Sequence, residues 1–380
     1  MQIVKTLSIL GSTGSIGRQA LEVAAWRGYK IIGLSGGLNA DELIAQANRW
    51  RPRLVSCQPD AETAIRPHLP PGTKLVVGNK GTEEVALIEA DAVISAIPGY
   101  AGLKPTLLAV EQGRRVALAN KESMVVAGPL IRKAAMASGA TITPIDSEHS
   151  ALFQCLIGED PAHIEALVLT ASGGPFLNQP RNLETVTVEQ ALQHPNWSMG
   201  PKVTIDSATL FNKGLEILEA HFLFDIPLCS IEVVIHPESL VHGLVRFTDG
   251  STKAQIGPHD MRLPIQVAIE YPKRPSVPLP PFRLQGKWSF LSPDLDRFPS
   301  LDLAYQAGKI GGLAPTFINA ADEVAVKAFL AGKIAFPDIP KTLEAVLSQA
   351  PSAALSWDNL DHANQEAKLL AADVVAAFGR

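Results

Sequence analysis

The chain has 380 residues, 46% of them hydrophobic, enough for two or three domains with well-buried interiors rather than one ordinary core. Its 33 basic and 38 acidic side chains leave a net charge of -5 that is spread along the sequence. There is no basic run or stripe, which argues against nucleic acid and anionic membrane surfaces as partners and favours small molecules.

The first residues, MQIVKTLSILGSTGSIG, pass from a short apolar run directly into a glycine loop, so they read as a first strand and not as an export signal. From there to about residue 150, β-branched runs alternate with segments of helical period. The runs are VKTLSIL, KIIGLSGG, RLVSC, KLVVG, DAVISAI, RVALAN and TITPID. This is the βαβ rhythm of a doubly wound, Rossmann-like parallel sheet. The GSTGSIG loop at 11–17 sits between the first strand and the first helix, the context in which glycines cradle a phosphate. Gly11, Gly14 and Gly17 permit the tight turn, and Thr13, Ser15 and Ile16 present N–H groups at the positive end of a helix. The second strand ends Ser35-Gly36-Gly37-Leu38-Asn39, with no carboxylate to hold a ribose 2'-hydroxyl or to repel a 2'-phosphate, so NADPH is expected over NADH.

At 144–150 the segment PIDSEHS, read as extended, projects Asp146 and Glu148 to one face with Ser147 turned away. Two carboxylates on one face call for a cation, and strand C-termini are where ligands gather in such sheets. Beyond about 160 the segments IEALVLTAS, IEVVIHPES and LVHGLVRFTDGSTKAQIG, the last with a turn at Asp249-Gly250, predict an α+β domain with an antiparallel hairpin. Its loops ASGGPF (171–176) and HPNWSMGPK (194–202) place Ser172 and His194 as phosphate or proton-handling groups, and Trp197 with Met199 as an apolar lid. The stretch 205–224, read as one helix, brings Asn212, Lys213 and Glu216 onto adjacent faces with Ser207 near its start: a hydroxyl, an amide and an ammonium for a phosphate, and a third carboxylate for Mg2+ or Mn2+.

Residues 272–300 are proline-rich and aperiodic, and predict an extended connector. After them, 301–380 shows helical spacing throughout and predicts a C-terminal helical bundle, read as scaffold or subunit contact. The expected division is therefore 1–150 for the dinucleotide, 151–271 for substrate, metal and catalysis, 272–300 as connector and 301–380 as helices. Cys57, Cys155 and Cys229 show no pair or metal-like spacing; they read as small buried apolar residues in a reducing, cytoplasmic compartment. No window approaches the roughly 18 to 20 apolar residues of a membrane span. The histidines, including His149, His236, His242 and His259, lack zinc-ligand spacing.

Taken together, GSTGSIG, ALANKES at 117–123, PIDSEHSA, LTASGGPF, HPNWSMGPKVTIDSATLFNKGLEILEA and DMRLPIQ closely resemble the 1-deoxy-D-xylulose 5-phosphate reductoisomerase family, strongly over the first 335 or so residues. The resemblance implies NADPH-dependent rearrangement and reduction of 1-deoxy-D-xylulose 5-phosphate to 2-C-methyl-D-erythritol 4-phosphate, a step towards isoprenoid precursors, by a homodimer. It implies cofactor contacts from Thr13, Gly14, Ser15, Ile16, Gly37, Leu38, Asn39, Asn120, Glu122 and Gly200. It implies Mg2+, Mn2+ or Co2+ on Asp146, Glu148 and Glu216. Substrate would be held by Lys121, Ser147, Glu148, Ser172, His194, Ser207, Asn212, Lys213 and Glu216, with Lys121 and Glu148 managing protons. Two positions depart from the pattern: Leu38 stands where relatives often carry a basic residue, and His259 where the family usually has proline. A semialdehyde-type dehydrogenase has a similar glycine loop but needs a nucleophilic cysteine, and none of the three cysteines lies in these motifs. A dinucleotide-sensing protein would not require three carboxylates and a polar phosphate cluster.

Overall fold

The computed structural model describes residues 4–178 and 182–379, which divide into two compact units. One unit comprises residues up to Ser123, Ile131–Phe153 and Asp260–Phe282; the other comprises Met124–Leu130, Gln154–His259 and Arg283 onward.

In the first unit, strands β1 (Thr6–Leu10), β2 (Lys30–Ser35), β3 (Leu54–Cys57), β4 (Lys74–Val77), β5 (Ala92–Ser95), β6 (Arg115–Leu118) and β7 (Thr141–Pro144) are the seven runs read from the sequence. They interleave with α1 (Ser15–Arg27), α2 (Ala40–Trp50), α3 (Glu62–Ile65), α4 (Gly78–Leu87) and α5 (Leu103–Glu111), and then with α6 (Lys121–Ser138) and α7 (Ser147–Leu156), whose residues are shared between the two units. The strand order β4-β3-β2-β1-β5-β6-β7 is parallel throughout, as expected of a doubly wound sheet. Its strands bury both faces, which is why they read as continuous apolar runs. Leu7, Ile9, Leu34, Val55, Ala92 and Ile94 are almost wholly inaccessible in one core with Ala20, Val23 and Ala24 of α1. The chain winds outward from β1 to β4 and returns at β5, so the order reverses between β1 and β5. The glycine loop sits at the C-terminal end of that switch point.

The second unit is built on β8 (Ile164–Ala171) and contains α8 (Val188–Ala191), α9 (Pro201–Ala208), α10 (Phe211–Phe224), β9 (Ile231–Ile235), β10 (Val241–Phe247) and β11 (Thr252–Ile256). Its sheet order is β11-β10-β8-β9, with β8 parallel to β9 and antiparallel to β10. The hairpin from β10 to β11 turns through Asp249 and Gly250, where φ is +83°. Helix α11 (Arg262–Glu270) belongs to the first unit, burying Ile265, Ala268 and Ile269 in its core. Residues 272–299 form neither helix nor strand apart from one bridge between Leu291 and Ile235. Helices α12 (Ser300–Ile310), α13 (Ala314–Leu330), α14 (Asp338–Leu347) and α15 (Trp357–Ala377) form the expected C-terminal bundle. No helix among the described residues is long and apolar enough to cross a membrane.

Three local expectations change. PIDSEHS is extended only to Pro144: the Asp146 carbonyl accepts the Ser150 N–H at 2.8 Å, and Ser147 opens α7. Residues 205–224 are two helices, broken at Leu210, whose φ of +59° ends one and starts the other. Ser207 therefore lies in the last turn of α9. Cys57 and Cys155 are buried as expected, but Cys229 is exposed at the turn before β9.

Candidate active site

At the switch point the loop is built by close backbone approach. A Cβ on Gly11 would stand 2.5 Å from the Ala96 carbonyl, and one on Gly17 would stand 2.3 Å from the Gly11 carbonyl. The cradle exists only because these residues have no side chain. Gly14 caps α1 without any side-chain hydrogen bond, so the first-turn N–H groups of Ser15, Ile16 and Gly17 have no partner within the helix. Gly14 and Ser15 are exposed, and this open, positive helix end fits a dinucleotide pyrophosphate. At the end of β2, a Cβ on Gly37 would meet nothing, and Leu38 is 65% exposed. Asn39 caps α2, its Oδ1 accepting the Glu42 N–H at 3.2 Å, which leaves its amide N–H groups as donors suited to a 2'-phosphate.

Asn120 caps α6 and is buried. Its Oδ1 accepts from the Ser123 N–H at 3.1 Å, while its Nδ2 donates to the Gly99 carbonyl at 3.0 Å and to Glu122 Oε2 at 2.9 Å. Its side chain thus shapes the loop. The next residue, Lys121, places Nζ 2.6 Å from Asp146 Oδ2, both side chains nearly buried. Burial by itself would raise the Asp146 pKa. The Lys121 ammonium, His149, and hydrogen bonds from Lys121 and Glu148 outweigh it and hold the group well below the usual carboxylate range. Ser147 Oγ donates to Glu148 Oε2. His149, fully buried one helical turn after Asp146, lacks zinc-ligand spacing, and its i, i+3 relation to Asp146 is the sequence signal that links the two.

In the second unit, His194 Nδ1 accepts the N–H groups of Asn196 at 3.2 Å and Trp197 at 2.9 Å, so Nε2 carries the proton and donates to Ser172 Oγ at 3.0 Å. Ser172 Oγ also accepts the Gly174 N–H at 3.1 Å. With both lone pairs engaged, its O–H is left to donate outward, as a phosphate acceptor requires. Burial, with a smaller contribution from His259, pushes the His194 pKa down to about 4, which favours a neutral donor over a proton shuttle. Trp197 packs edge-on to His259 at 5.4 Å between ring centres and lies 6.3 Å from His242, so the indole rests on two imidazoles. Met199 is half-buried and Gly200 is the exposed N-cap of α9.

On α10, Asn212 Nδ2 and Lys213 Nζ donate to the two oxygens of Glu216. Lys213 and Glu216 are 4% and 1% exposed, so this is a buried cluster and no solvated helix face. Ser207 is drawn towards the Ser172 loop, its carbonyl lying 2.8 Å from where a Cβ on Gly174 would stand. Within the second unit the structure thus gathers Ser172 with His194, and Asn212 with Lys213 and Glu216. Within the first it gathers Lys121 with Asp146, and Ser147 with Glu148. Carboxylate oxygens without thiolates suit a hard divalent cation.

Known families match along the chain. Residues 7–128 match the model for 1-deoxy-D-xylulose 5-phosphate reductoisomerase, residues 142–224 its C-terminal domain, and residues 256–370 the DXP reductoisomerase C-terminal domain. The chain is 56% identical over 357 residues to the 1-deoxy-D-xylulose 5-phosphate reductoisomerase of Thermus thermophilus, covering 94% of this chain and 96% of that one. It is 49% identical to the enzyme of that name from Anaeromyxobacter dehalogenans, over 90% of each. Among solved structures, DOX-P reductoisomerase in complex with NADPH, fosmidomycin and magnesium superposes with a TM-score of 0.93 at 40% identity over 98% of each chain. The Zymomonas mobilis enzyme in complex with NADPH superposes with a TM-score of 0.91 at 39% identity, over 98% of this chain and 99% of that one. The chain belongs to the 1-deoxy-D-xylulose 5-phosphate reductoisomerase family.

Proposed function

We infer that the chain converts 1-deoxy-D-xylulose 5-phosphate and NADPH to 2-C-methyl-D-erythritol 4-phosphate and NADP+, consuming one proton. The observation that carries this reading is the buried cluster on α10, where a lysine and an asparagine amide converge on one carboxylate. Such a cluster has little structural value, because replacing a buried ion pair by apolar residues is often neutral or stabilising. Phosphate recognition next to a metal ligand gives it a purpose.

In this reading Asp146, Glu148 and Glu216 hold a divalent cation, and Thr13, Gly14, Ser15, Ile16, Gly37, Leu38, Asn39, Asn120, Glu122 and Gly200 line the NADPH path. When bound, the cation supplies a Lewis acid for the oxygens that rearrange, and the nicotinamide supplies the hydride. Ser172, Ser207, Asn212 and Lys213 hold the phosphate, with His194 fixing the Ser172 hydroxyl. Lys121 and Ser147 position the substrate oxygens, Lys121 and Glu148 manage the proton, and Trp197 excludes water. The same reading assigns 1–150 to NADPH, 151–271 to substrate and metal, 272–300 to the connection, and 301–380 to the scaffold of a cytoplasmic homodimer. Lys213→Ala tests the phosphate role: it should raise KM for the substrate about 100-fold, in keeping with loss of a charge-assisted contact. An unchanged KM would remove Lys213 from the phosphate.

A further inference from the structure

Lys202, in the first turn of α9, places Nζ 2.6 Å from Asp206 Oδ2 one turn later and 2.6 Å from Asp322 Oδ2 on α13. The Asp206 and Asp322 side chains are 2% and 0% exposed. Two buried carboxyls on one ammonium in a low-dielectric interior oppose each other's ionisation, so the proton is held more readily on one of them. Burial first and the Asp206 charge second push Asp322 well above the usual carboxylate range, which makes Asp322 the protonated member. The triad therefore fastens α9 to α13 as an ion pair extended by a neutral acid.

What α9 carries gives that fastening a consequence. Ser207 lies in its last turn, its carbonyl packs on Gly174 of the Ser172 loop, and after Leu210 the chain enters α10 with Asn212, Lys213 and Glu216. A shift of α9 against α13 displaces the hydroxyl and disturbs the loop together. We propose that Asp322 is a positioning residue for substrate binding, acting through Lys202 and Asp206 to hold Ser207 in register. This rests on the reading of Ser207 as a phosphate contact.

The test uses the full-length enzyme and three variants, Asp322→Ala, Asp322→Asn and Ser207→Ala, with KM for 1-deoxy-D-xylulose 5-phosphate, kcat, and NADPH binding by fluorescence. Asp322→Ala should raise KM about 10-fold while kcat stays within about 3-fold and NADPH affinity within about 2-fold. Asp322→Asn should restore KM to within about 2-fold, because a neutral amide oxygen replaces the protonated acid as acceptor for Lys202. Unchanged KM in Asp322→Ala, parallel loss of NADPH binding, or no rescue by Asn overturns the proposal. If the alanine variant does not fold by circular dichroism, Lys202→Met takes its place with the same expected split, and an unchanged KM there overturns the proposal equally. Ser207→Ala separates the two levels. Unchanged KM in that variant overturns the phosphate reading and the inference with it, whereas raised KM there with unchanged KM in Asp322→Ala overturns the inference alone.

Discussion

Glu216, a metal ligand in the proposed reading, is buried at 1% exposure with both oxygens engaged by neighbours on its own helix. Glu216→Gln keeps the shape and removes the charge, so in that reading kcat should fall about 100-fold or more while NADPH affinity, assigned to the glycine loop, is unchanged. Turnover at the wild-type rate would take Glu216 out of the metal set. The histidines make a separate prediction. Burial first and His259 second push His194 and His242 down to about 4, against an ordinary value near 6.5 in the unfolded chain. The unfolded state therefore binds more protons across that window, and stability is present in full above about pH 6.5 and lost as the pH falls towards 4. His242→Asn should flatten the decline in urea midpoint between pH 7 and 5. An identical slope in variant and wild type would contradict the assigned neutral state. At this scale the sequence was informative about chemistry and poor on burial. The same reading that found Lys213 and Glu216 placed Cys229 inside, because a single residue carries no record of which side of an element it faces.

Among elements, legibility followed burial pattern and local backbone demands. The seven parallel strands were readable because both faces are covered, so each appears as an unbroken β-branched run between helical periods. The start of α7 was not, since Asp146-Ser147-Glu148 fits a two-residue alternation as well as the first turn of a helix. The break between α9 and α10 had no signal at all: Leu210 takes a positive φ without being glycine or asparagine, held there by tertiary packing. The glycine loop was readable because its geometry demands residues without side chains. Gly17→Ala would force a Cβ to within 2.3 Å of the Gly11 carbonyl and 2.5 Å of Ser12 Cα, so the loop must open. NADPH affinity should fall about 10-fold or more, with the substrate-side cluster untouched. A calorimetric titration matching wild type would show that the cradle is not where the cofactor sits.

Taken over its whole length, the chain combines a nucleotide-type sheet, a mixed sheet followed in the same unit by the helix α10 that carries the polar cluster, and a helical bundle tied to α9 through Asp322. The sequence motifs pointed to this combination because chemistry fixes residue types at short spacing. How segments distant in the chain share a core was not legible, as α11 shows: its amphipathic period is plain, but nothing in it says that its apolar face joins the first unit. The most direct test of the account is the absorbance of NADPH mixed with purified enzyme and 1-deoxy-D-xylulose 5-phosphate, first with EDTA and then with Mg2+ or Mn2+ restored. The account predicts oxidation that requires the substrate, stops with EDTA and returns with the metal. Folded, metal-loaded protein that binds NADPH and leaves it unoxidised in the presence of this substrate would contradict it.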